Sequence, residues 1–499
     1  MTDDVSAAPD TPAPPSLQTQ VVDALQTVLP ADALLWTPEQ TTPYECDGLM
    51  AYRQRPLAVA LPEDERQVQA VLRACRRLNV PVVARGAGTG LSGGALPHER
   101  GVTLSLARLN RILEIDPLAR TAQVQCGVRN LAISEAAARH DLYYAPDPSS
   151  QIACTIGGNV AENSGGVHCL KYGLTVHNVL RVRGFTVEGE LIEFGGAAPD
   201  APGYDLLALI TGSEGMLAVT TEVTVRLIPK PQLARCALAS FPSIDSAGHA
   251  VARVIAAGII PAGLELMDKP MTAAAEAFVH ASYDLNAAAI LLCESDGTRE
   301  EVEEEIERIS QVLRDAGATR IAVSRDEAER LKFWSGRKNA FPASGRISPD
   351  YICMDSTIPR KRLAEMLLAI ADMETRYDLR CCNVFHAGDG NLHPLILFDA
   401  GDPDQLQRAE RFGAEILEES VRLGGSVTGE HGVGIEKINS MCVQFSPEEN
   451  AQMLGIKRAF DAPGLLNPGK VIPTHPRCVE YGRLLVRGGL LPHPELERF

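Results

Sequence analysis

A loop of unusual glycine content constrains this chain more than any other feature of its sequence. Residues 85–94 read RGAGTGLSGG, so that five of ten positions are glycine, and the loop directly follows an apolar, strand-like run at 80–84. Glycine lets the backbone approach a ligand closely and turn successive N–H groups towards an anion. The loop lacks the Gly-Lys-Ser/Thr of a Walker motif and the helix start and acidic residue of a nicotinamide-dinucleotide fingerprint. Taken alone, it is explained equally well as a tight surface turn.

A second glycine-rich segment in the same half of the chain favours ligand binding. Residues 146–150 read PDPSS and lead into CTIGGNVAENSGG at 154–166 and KYGLTVHNV at 171–179. Two such loops predict a long, dinucleotide-like ligand that lies across the backbone. Around them, strand-like runs alternate with amphipathic helices, such as one that starts at Asp64. This half of the chain is therefore predicted to be α/β or α+β.

Proline residues mark a boundary near the middle of the chain. Pro-Lys-Pro at 229–231 follows a strand-like run at 220–228, and two amphipathic helices, 299–316 and 360–376, lie beyond it. We therefore expect a mobile tail over 1–16, a first domain over 17–228, a second α+β domain over 229–460 and a closing segment over 461–499.

Composition excludes several classes of function. The net charge of −17 disfavours nucleic-acid binding, because the phosphate backbone would be repelled. The best apolar stretch, 251–264, is interrupted by Arg253 and Pro261, so the protein is expected to be soluble or at most peripheral on the cytoplasmic membrane.

Residues 1–52 contain no Lys or Arg, unlike a secretory or mitochondrial presequence, which indicates the cytoplasm. The 12 cysteines form no CxxC pair, so reduced thiols are expected and no self-contained metal cluster.

A cluster of histidines and glycines lies in the second half. Residues 381–398 read CCNVFHAGDGNLHPLILF, and residues 424–434 read GGSVTGEHGVG. Glycines and a proline forbid a helix between His386 and His393, whereas AGDGN is typical of a turn, so the two imidazoles are predicted to meet across a hairpin. Glu430 can add a third ligand, and two histidines with one carboxylate are typical of a catalytic Zn²⁺, Mn²⁺ or Fe²⁺ site. These residues would also suffice for a metal-dependent hydrolase.

These segments, together with TGSEGMLAVTTEVTVRL at 211–227, resemble the FAD-linked 2-hydroxy acid dehydrogenases of the vanillyl-alcohol oxidase/p-cresol methylhydroxylase superfamily. Within that branch the likeness is greatest to the flavin subunits of bacterial glycolate oxidases, and it covers residues from about 40 to 473. The resemblance implies an α+β fold, with a FAD-binding domain of two subdomains of p-cresol methylhydroxylase type followed by a cap domain for substrate and metal with an antiparallel sheet. The closing segment would return to the FAD domain.

The resemblance also implies FAD as cofactor, bound non-covalently, because the first loop lacks the histidine that often carries covalent flavin. The first loop would hold the pyrophosphate, the second loop the flavin and ribityl chain, and the third segment the adenine end, while the terminal NPGK would approach the isoalloxazine. The implied contacts are Arg85, Gly86, Ala87, Gly88, Thr89, Gly90, Ser92, Gly93, Pro146, Asp147, Ser149, Thr155, Gly157, Gly158, Asn163, Ser164, Gly166, Glu214, Gly215, Val219 and Asn467.

In the second half, the resemblance makes His386, His393 and Glu430 the metal ligands and His431 the general base. Arg337, in FWSGRKNAFP, matches the arginine that binds the substrate carboxylate, and Lys338 is a candidate second contact. The alternative for both residues is the polar face of a helix that starts near Asp326.

The implied activity is oxidation of a small 2-hydroxy acid, glycolate first and D-lactate next, with electrons passed to a partner or quinone instead of O₂. Leu395 and Phe341 stand where enzymes for dicarboxylates carry polar residues, which favours a monocarboxylate over D-2-hydroxyglutarate. Implied partners are a second flavin-domain subunit and an iron–sulfur subunit. A metal-dependent hydrolase and a non-catalytic flavoprotein subunit are the rival classes. Residues 474–499 are expected to form a docking element or a packed terminal helix.

Overall fold

The computed structural model describes residues 15–198 and 203–473, whose strands form three main sheets. The predicted tail at 1–16, except its last two residues, and the predicted docking element at 474–499 lie outside the described residues. In the described parts, no helix is both long enough and apolar enough to cross a membrane. Ten of the described cysteines are free thiols, and all of these except Cys46 are buried.

The first lobe is a small, mainly parallel sheet covered by one long helix. Its elements are α1 (Leu17–Gln26), β1 (Leu34–Leu35), α2 (Pro38–Thr41), β2 (Ala58–Ala60), α3 (Glu65–Leu78), β3 (Val82–Arg85) and β4 (Val102–Ser105). The strand order is β1-β2-β4-β3, in which β2, β4 and β3 are parallel. α3 starts after Asp64, whose side chain accepts a hydrogen bond from Gln67 N, as the sequence pattern predicted. Because β3 ends at Arg85, the first glycine-rich loop leaves the sheet at a strand terminus.

The second lobe is an antiparallel sheet with short helices. Its elements are β5 (Ile112–Asp116), β6 (Thr121–Gln125), α4 (Asn130–Ala137), β7 (Leu142–Tyr143), α5 (Ile156–Glu162), α6 (Cys169–Tyr172), α7 (Thr175–Asn178), β8 (Val179–Phe185), β9 (Leu191–Gly195), α8 (Leu206–Ile210), β10 (Val219–Arg226) and β11 (Ile228–Pro229). The order is β5-β6-β10-β8-β9, and the central strand β10 alternates buried and half-buried residues, the period-two pattern of a strand with one face on the core.

The chain then enters a seven-stranded antiparallel sheet, ordered β15-β12-β14-β13-β18-β20-β16. Its elements are β12 (Leu233–Phe241), α9 (Ile244–Ala256), β13 (Gly263–Asp268), α10 (Lys269–Val279), β14 (Ala289–Gly297), α11 (Arg299–Asp315), β15 (Arg320–Val323), α12 (Glu327–Lys338), α13 (Ala340–Ser344), β16 (Asp350–Cys353), β17 (Ser356–Thr357), α14 (Leu363–Tyr377), β18 (Arg380–Phe385), β19 (Asn391–Leu392), β20 (Pro394–Phe398) and α15 (Pro403–Arg422). Helices cover both faces: α9, α11, α14 and α15 pack on one, and α10, α12 and α13 on the other. The two helices predicted by periodicity are confirmed as α11 and α14.

The last described residues return to the first lobe. After α16 (Met441–Gln444) and α17 (Pro447–Phe460), Leu466 forms a parallel bridge with Val82. Val82 N donates to Leu465 O at 2.8 Å, and Asn467 N donates to Val82 O at 2.9 Å. The end of the described chain therefore lies beside β3, next to the first glycine-rich loop.

Candidate active site

One cavity runs from the glycine-rich loops of both lobes to the histidine cluster of the cap. The predicted contacts that line it are Arg85, Gly86, Ala87, Gly88, Thr89, Gly90, Ser149, Thr155, Gly157, Gly158, Ser164, Glu214 and Gly215. At its other end the wall consists of Phe341, His393, Glu430 and His431. The cavity is therefore long and backbone-lined at one end and rich in titratable groups at the other.

Glycines allow close packing at both main loops, where Gly86 of the first lies against Thr155 of the second and Gly157 of the second lies against Cys126. A Cβ on Gly86 would lie 2.3 Å from Thr155 Oγ1, and one on Gly157 would lie 2.7 Å from Cys126 Cβ, so neither position accepts a side chain. At Gly90 an added Cβ would meet nothing nearer than Asp47 Oδ2 at 3.9 Å, so packing within the protein does not explain this glycine. A cavity wall of exposed backbone that is kept free of side chains fits a dinucleotide such as FAD.

The remaining predicted cofactor contacts do not line this cavity: Ser92, Gly93, Pro146, Asp147, Asn163, Gly166, Val219 and Asn467. Asp147 binds instead to His168, with 2.7 Å between Oδ2 and Nδ1. Asn467 Nδ2 donates to the carbonyls of Gly94 and Glu214 at 3.0 and 2.7 Å. Asp147 and Asn467 thus hold the loops from outside the cavity. Residue type and spacing do not distinguish this role from direct contact with a cofactor.

The two metal-site histidines meet as the hairpin prediction required. β18 pairs with β20 in antiparallel register, and the rings of His386 and His393 lie 5.1 Å apart. Their Nε2 atoms lie 3.4 and 3.0 Å from the same atom, Oε1 of Glu430. One ligand atom from each of the three residues thus falls within 4.8 Å of the others. Two imidazoles and a carboxylate at this separation fit a divalent transition-metal ion.

The electrostatics of this cluster also favour a cation. Burial acts to lower the pKa of His386. Glu265 and Glu430 raise the pKa and together outweigh burial, so that it rises to about 10. Burial acts to raise the pKa of Glu430, yet hydrogen bonds from His386 and His393 hold it well below its usual value. The cluster therefore binds positive charge, which a metal ion would supply in place of a proton.

The general-base candidate stacks on this cluster. The His431 ring lies parallel to that of His393 at 5.0 Å, and its Nε2 is 3.9 Å from Glu430 Oε1. Burial lowers the pKa of His431 to about 4, so the imidazole is neutral near pH 7, the protonation state that a general base requires.

A buried ion pair holds the loop that carries Glu430 and His431. Asp355 accepts hydrogen bonds from the backbone N–H groups of Gly429, Glu430 and His431 at 3.0, 3.1 and 3.0 Å. Lys437 Nζ donates to the same carboxylate at 2.9 Å, and both side chains are fully buried. The position of the loop thus depends on one carboxylate at the end of β16.

Arg337 and Lys338, adjacent in sequence, have opposite environments. Arg337 is 2% exposed, donates from Nε to Glu265 at 2.6 Å, and places Nη2 3.3 Å from His386 Nδ1. Lys338 is exposed, because neighbouring helix positions point about 100° apart. The structure therefore brings Arg337 to the cluster and corrects the expectation that Lys338 lies there too. The helix does begin after Asp326, as predicted.

Sequence reasoning missed several residues of this region. Glu265 and Asp355 were not singled out, although Glu265 is a charged residue within an apolar strand and Asp355 follows one closely, a signal that was available. Glu162 lines the cavity, its Oε2 is buried without a partner, and burial and Glu214 raise its pKa well above the usual value. Cys126, Cys154 and Asn159 also line the cavity and were not predicted.

A cavity that fits FAD and ends at a candidate metal cluster, with the buried Arg337 beside His386 of that cluster, suits a flavoenzyme that oxidises a hydroxy acid. A family model described as "FAD binding domain" matches residues 56–195, and one described as "FAD linked oxidases, C-terminal domain" matches residues 230–471. The chain belongs to the FAD-linked oxidases, and within them it is an FAD-linked 2-hydroxy acid dehydrogenase. FAD as cofactor is confirmed.

Relatives of known name agree with this assignment. The chain is 61% identical to the glycolate oxidase subunit GlcD of Escherichia coli K12, with 97% of each chain covered. It is 40% identical to the Bacillus subtilis protein of the same name, covering 87% of this chain and 93% of that one, and 32% identical to a D-lactate dehydrogenase of Archaeoglobus fulgidus, covering 83% and 91%. A structure of p-cresol methylhydroxylase has a TM-score of 0.78 at 19% identity over 91% of this chain and 96% of that chain, which confirms the predicted fold.

Proposed function

We propose that the protein oxidises glycolate to glyoxylate, and D-lactate to pyruvate as its next substrate. The observation that carries this proposal is the convergence of His386, His393 and Glu430 beside Arg337, at the end of the FAD cavity. The name of the E. coli relative, a glycolate oxidase subunit, supports the choice of substrate.

The residues of the chain suit each requirement of this reaction. Arg337 supplies a buried, permanently charged guanidinium for the substrate carboxylate. His431 accepts the hydroxyl proton at its neutral imidazole, a contribution of about 10²–10⁴-fold. A divalent ion held by His386, His393 and Glu430 would supply Lewis-acid polarisation of the substrate hydroxyl. FAD, bound non-covalently, would accept the hydride from the substrate carbon.

Phe341 restricts the size of the substrate in this proposal. Its ring lines the cavity 6.2 Å from that of His393 and is held in place by Tyr351 at 6.0 Å. Among the described residues that line this end of the cavity, Phe341, His393, Glu430 and His431, there is no lysine or arginine for a second carboxylate, which favours monocarboxylates over D-2-hydroxyglutarate.

We further propose that electrons leave through partner subunits towards a quinone, not to O₂. In the described residues, the groups able to hold a metal are the two that share His393, and neither has the cysteine set of an iron–sulfur cluster. One-electron transfer would therefore require an iron–sulfur subunit, together with a second flavin-domain subunit. Such an assembly would lie in the cytoplasm or on the inner face of the membrane.

An anaerobic visible spectrum tests the proposal directly. Addition of glycolate or D-lactate to the purified flavoprotein is expected to bleach the flavin absorbance, and L-lactate is not. The His386→Ala variant is the matched control, which should retain FAD while it loses bound metal and reduction together. An oxidised spectrum that persists with both substrates, at full FAD and metal occupancy, would refute the proposed substrates.

A further inference from the structure

Glu265 lies at the centre of the cap sheet with no contact with solvent. It belongs to β13, all of whose residues are buried, and is itself 1% exposed. β13 pairs with β18 so that Leu266 faces Phe385 and Met267 faces Val384. Continuing this antiparallel register places Glu265 opposite His386. A carboxylate buried at such a position is costly unless each of its oxygens has a partner.

The two carboxylate oxygens of Glu265 are divided between two functional residues. Oε1 lies 2.8 Å from Nδ1 of His386, and Oε2 accepts from Nε of Arg337 at 2.6 Å. The first residue is a candidate metal ligand and the second the candidate carboxylate-binding group. Both are buried as completely as Glu265 itself.

We propose that Glu265 is a positioning residue that sets the metal site and the substrate-carboxylate site together; this inference rests on the proposed function. By accepting the Nδ1–H of His386, it leaves the Nε2 lone pair directed at Glu430, 3.4 Å away, where a metal ion would be bound. By holding Arg337 Nε, it fixes the plane of the guanidinium beside the same histidine. Each site is therefore sensitive to the loss of one carboxylate.

A purely structural ion pair is the competing explanation, and the protein contains a matched example. Glu294, on the neighbouring strand β14, is also 1% exposed and accepts from Arg330 of α12 at 2.8 Å and from Trp334. It contacts neither His386 nor His393. Glu294→Gln thus removes a buried charge from the same sheet, one that is paired with an arginine of the same helix, α12. It does so without touching the metal cluster.

The test is a Co²⁺ titration of metal-free, FAD-containing protein. Binding is measured by calorimetry and by the visible absorption of bound Co²⁺. Glu265→Gln offers one acceptor where two are needed, so its Co²⁺ affinity is expected to fall by about 10–100-fold. Glu294→Gln should bind Co²⁺ as the wild type does. Glu265→Asp keeps both oxygens on a shorter side chain and should give a Co²⁺ affinity between those of Glu265→Gln and the wild type. If Glu265→Gln does not fold, the test is whether Glu265→Asp binds Co²⁺ more weakly than the wild type.

Three outcomes decide the matter. Unchanged Co²⁺ affinity and absorption in Glu265→Gln, with thermal unfolding lowered as in Glu294→Gln, would make Glu265 a structural residue and overturn the inference. Loss of Co²⁺ in His386→Ala but not in Glu265→Gln would overturn only the positioning role. Wild-type binding in His386→Ala would instead overturn the metal site of the proposed function.

Discussion

Replacement of Asp355 by Asn would separate two roles of one buried carboxylate. Asp355 neutralises Lys437 and also accepts the N–H groups that orient Glu430 and His431. Asn is the same size but carries no charge and keeps one acceptor oxygen. The variant therefore removes the close counter-ion of a buried ammonium group and leaves it with the more distant Glu436, whose Oε2 lies 4.0 Å away.

The size of the effect follows from this burial. Removing one partner of a buried ion pair costs about 3–5 kcal/mol. At about 2–4 °C per kcal/mol for domains of this size, the unfolding midpoint should fall by about 6–20 °C. Burial acts to raise the pKa of Asp355, but Lys437, the nearby histidines and the backbone hydrogen bond from His431 together hold the pKa well below the usual range. A lowered folded-state pKa contributes stability above the unfolded value, so the loss should be seen at every pH above about 4.

Thermal unfolding by circular dichroism, with glycolate-dependent flavin reduction as a second readout, tests this reasoning. In Asp355→Asn/Lys437→Met the ammonium group that lost its partner is gone too, so much of the lost stability should return. Activity should not return, because Asn offers one acceptor oxygen where the loop that carries His431 uses two. The reasoning is refuted if Asp355→Asn unfolds within about 2 °C of the wild type, or if the double variant is no more stable than the single one.

Three further predictions concern the base, the substrate pocket and the pH dependence of stability. His431→Asn should retain FAD and metal and slow anaerobic flavin reduction by about two orders of magnitude; stopped-flow rates equal to the wild type would remove His431 from the base role. Phe341→Ala should shift the ratio of kcat/KM towards D-2-hydroxy acids with longer apolar chains relative to glycolate, and an unchanged ratio would contradict the size limit assigned to this ring. Burial raises the pKa of Asp268 to about 7, so its contribution to stability is fully present below about pH 4 and is lost as the pH rises through 7. The stability of the wild type relative to Asp268→Ser, in which serine can still cap α10, should therefore decline from pH 4 to 7 in urea unfolding; a difference that does not change with pH would contradict this shift.

Local chemistry made much of the fold and part of the site predictable. The hairpin between His386 and His393 follows from glycines and a proline that exclude a helix, and α11 and α14 follow from apolar periodicity. The cavity-lining part of the first loop follows from its glycines. In each case the deciding residues are close together in the sequence.

The partners of these residues were not predictable in the same way. Glu265 reaches His386 only because β13 and β18 are neighbours in the sheet, an order that spacing along the chain does not specify. Asp355 reaches the loop of His431 through the end of a different strand. For Lys338 the residue type suited a second carboxylate contact, but its position on α12 places it on the exposed face of the helix, whereas Arg337 is buried.

The return of residues 461–473 to the first lobe has a consequence for synthesis of the protein. Lys470 Nζ donates to the carbonyls of Gly94 and Leu96 at 2.8 and 2.6 Å, and Asn467 ties Gly94 to Glu214. The wall of the cofactor cavity is thus fastened by Lys470, which is synthesised 376 residues after Gly94, the loop residue that it holds. A nascent chain can complete its sheets earlier, but it can fasten this wall of the FAD pocket only after residue 470 has been synthesised.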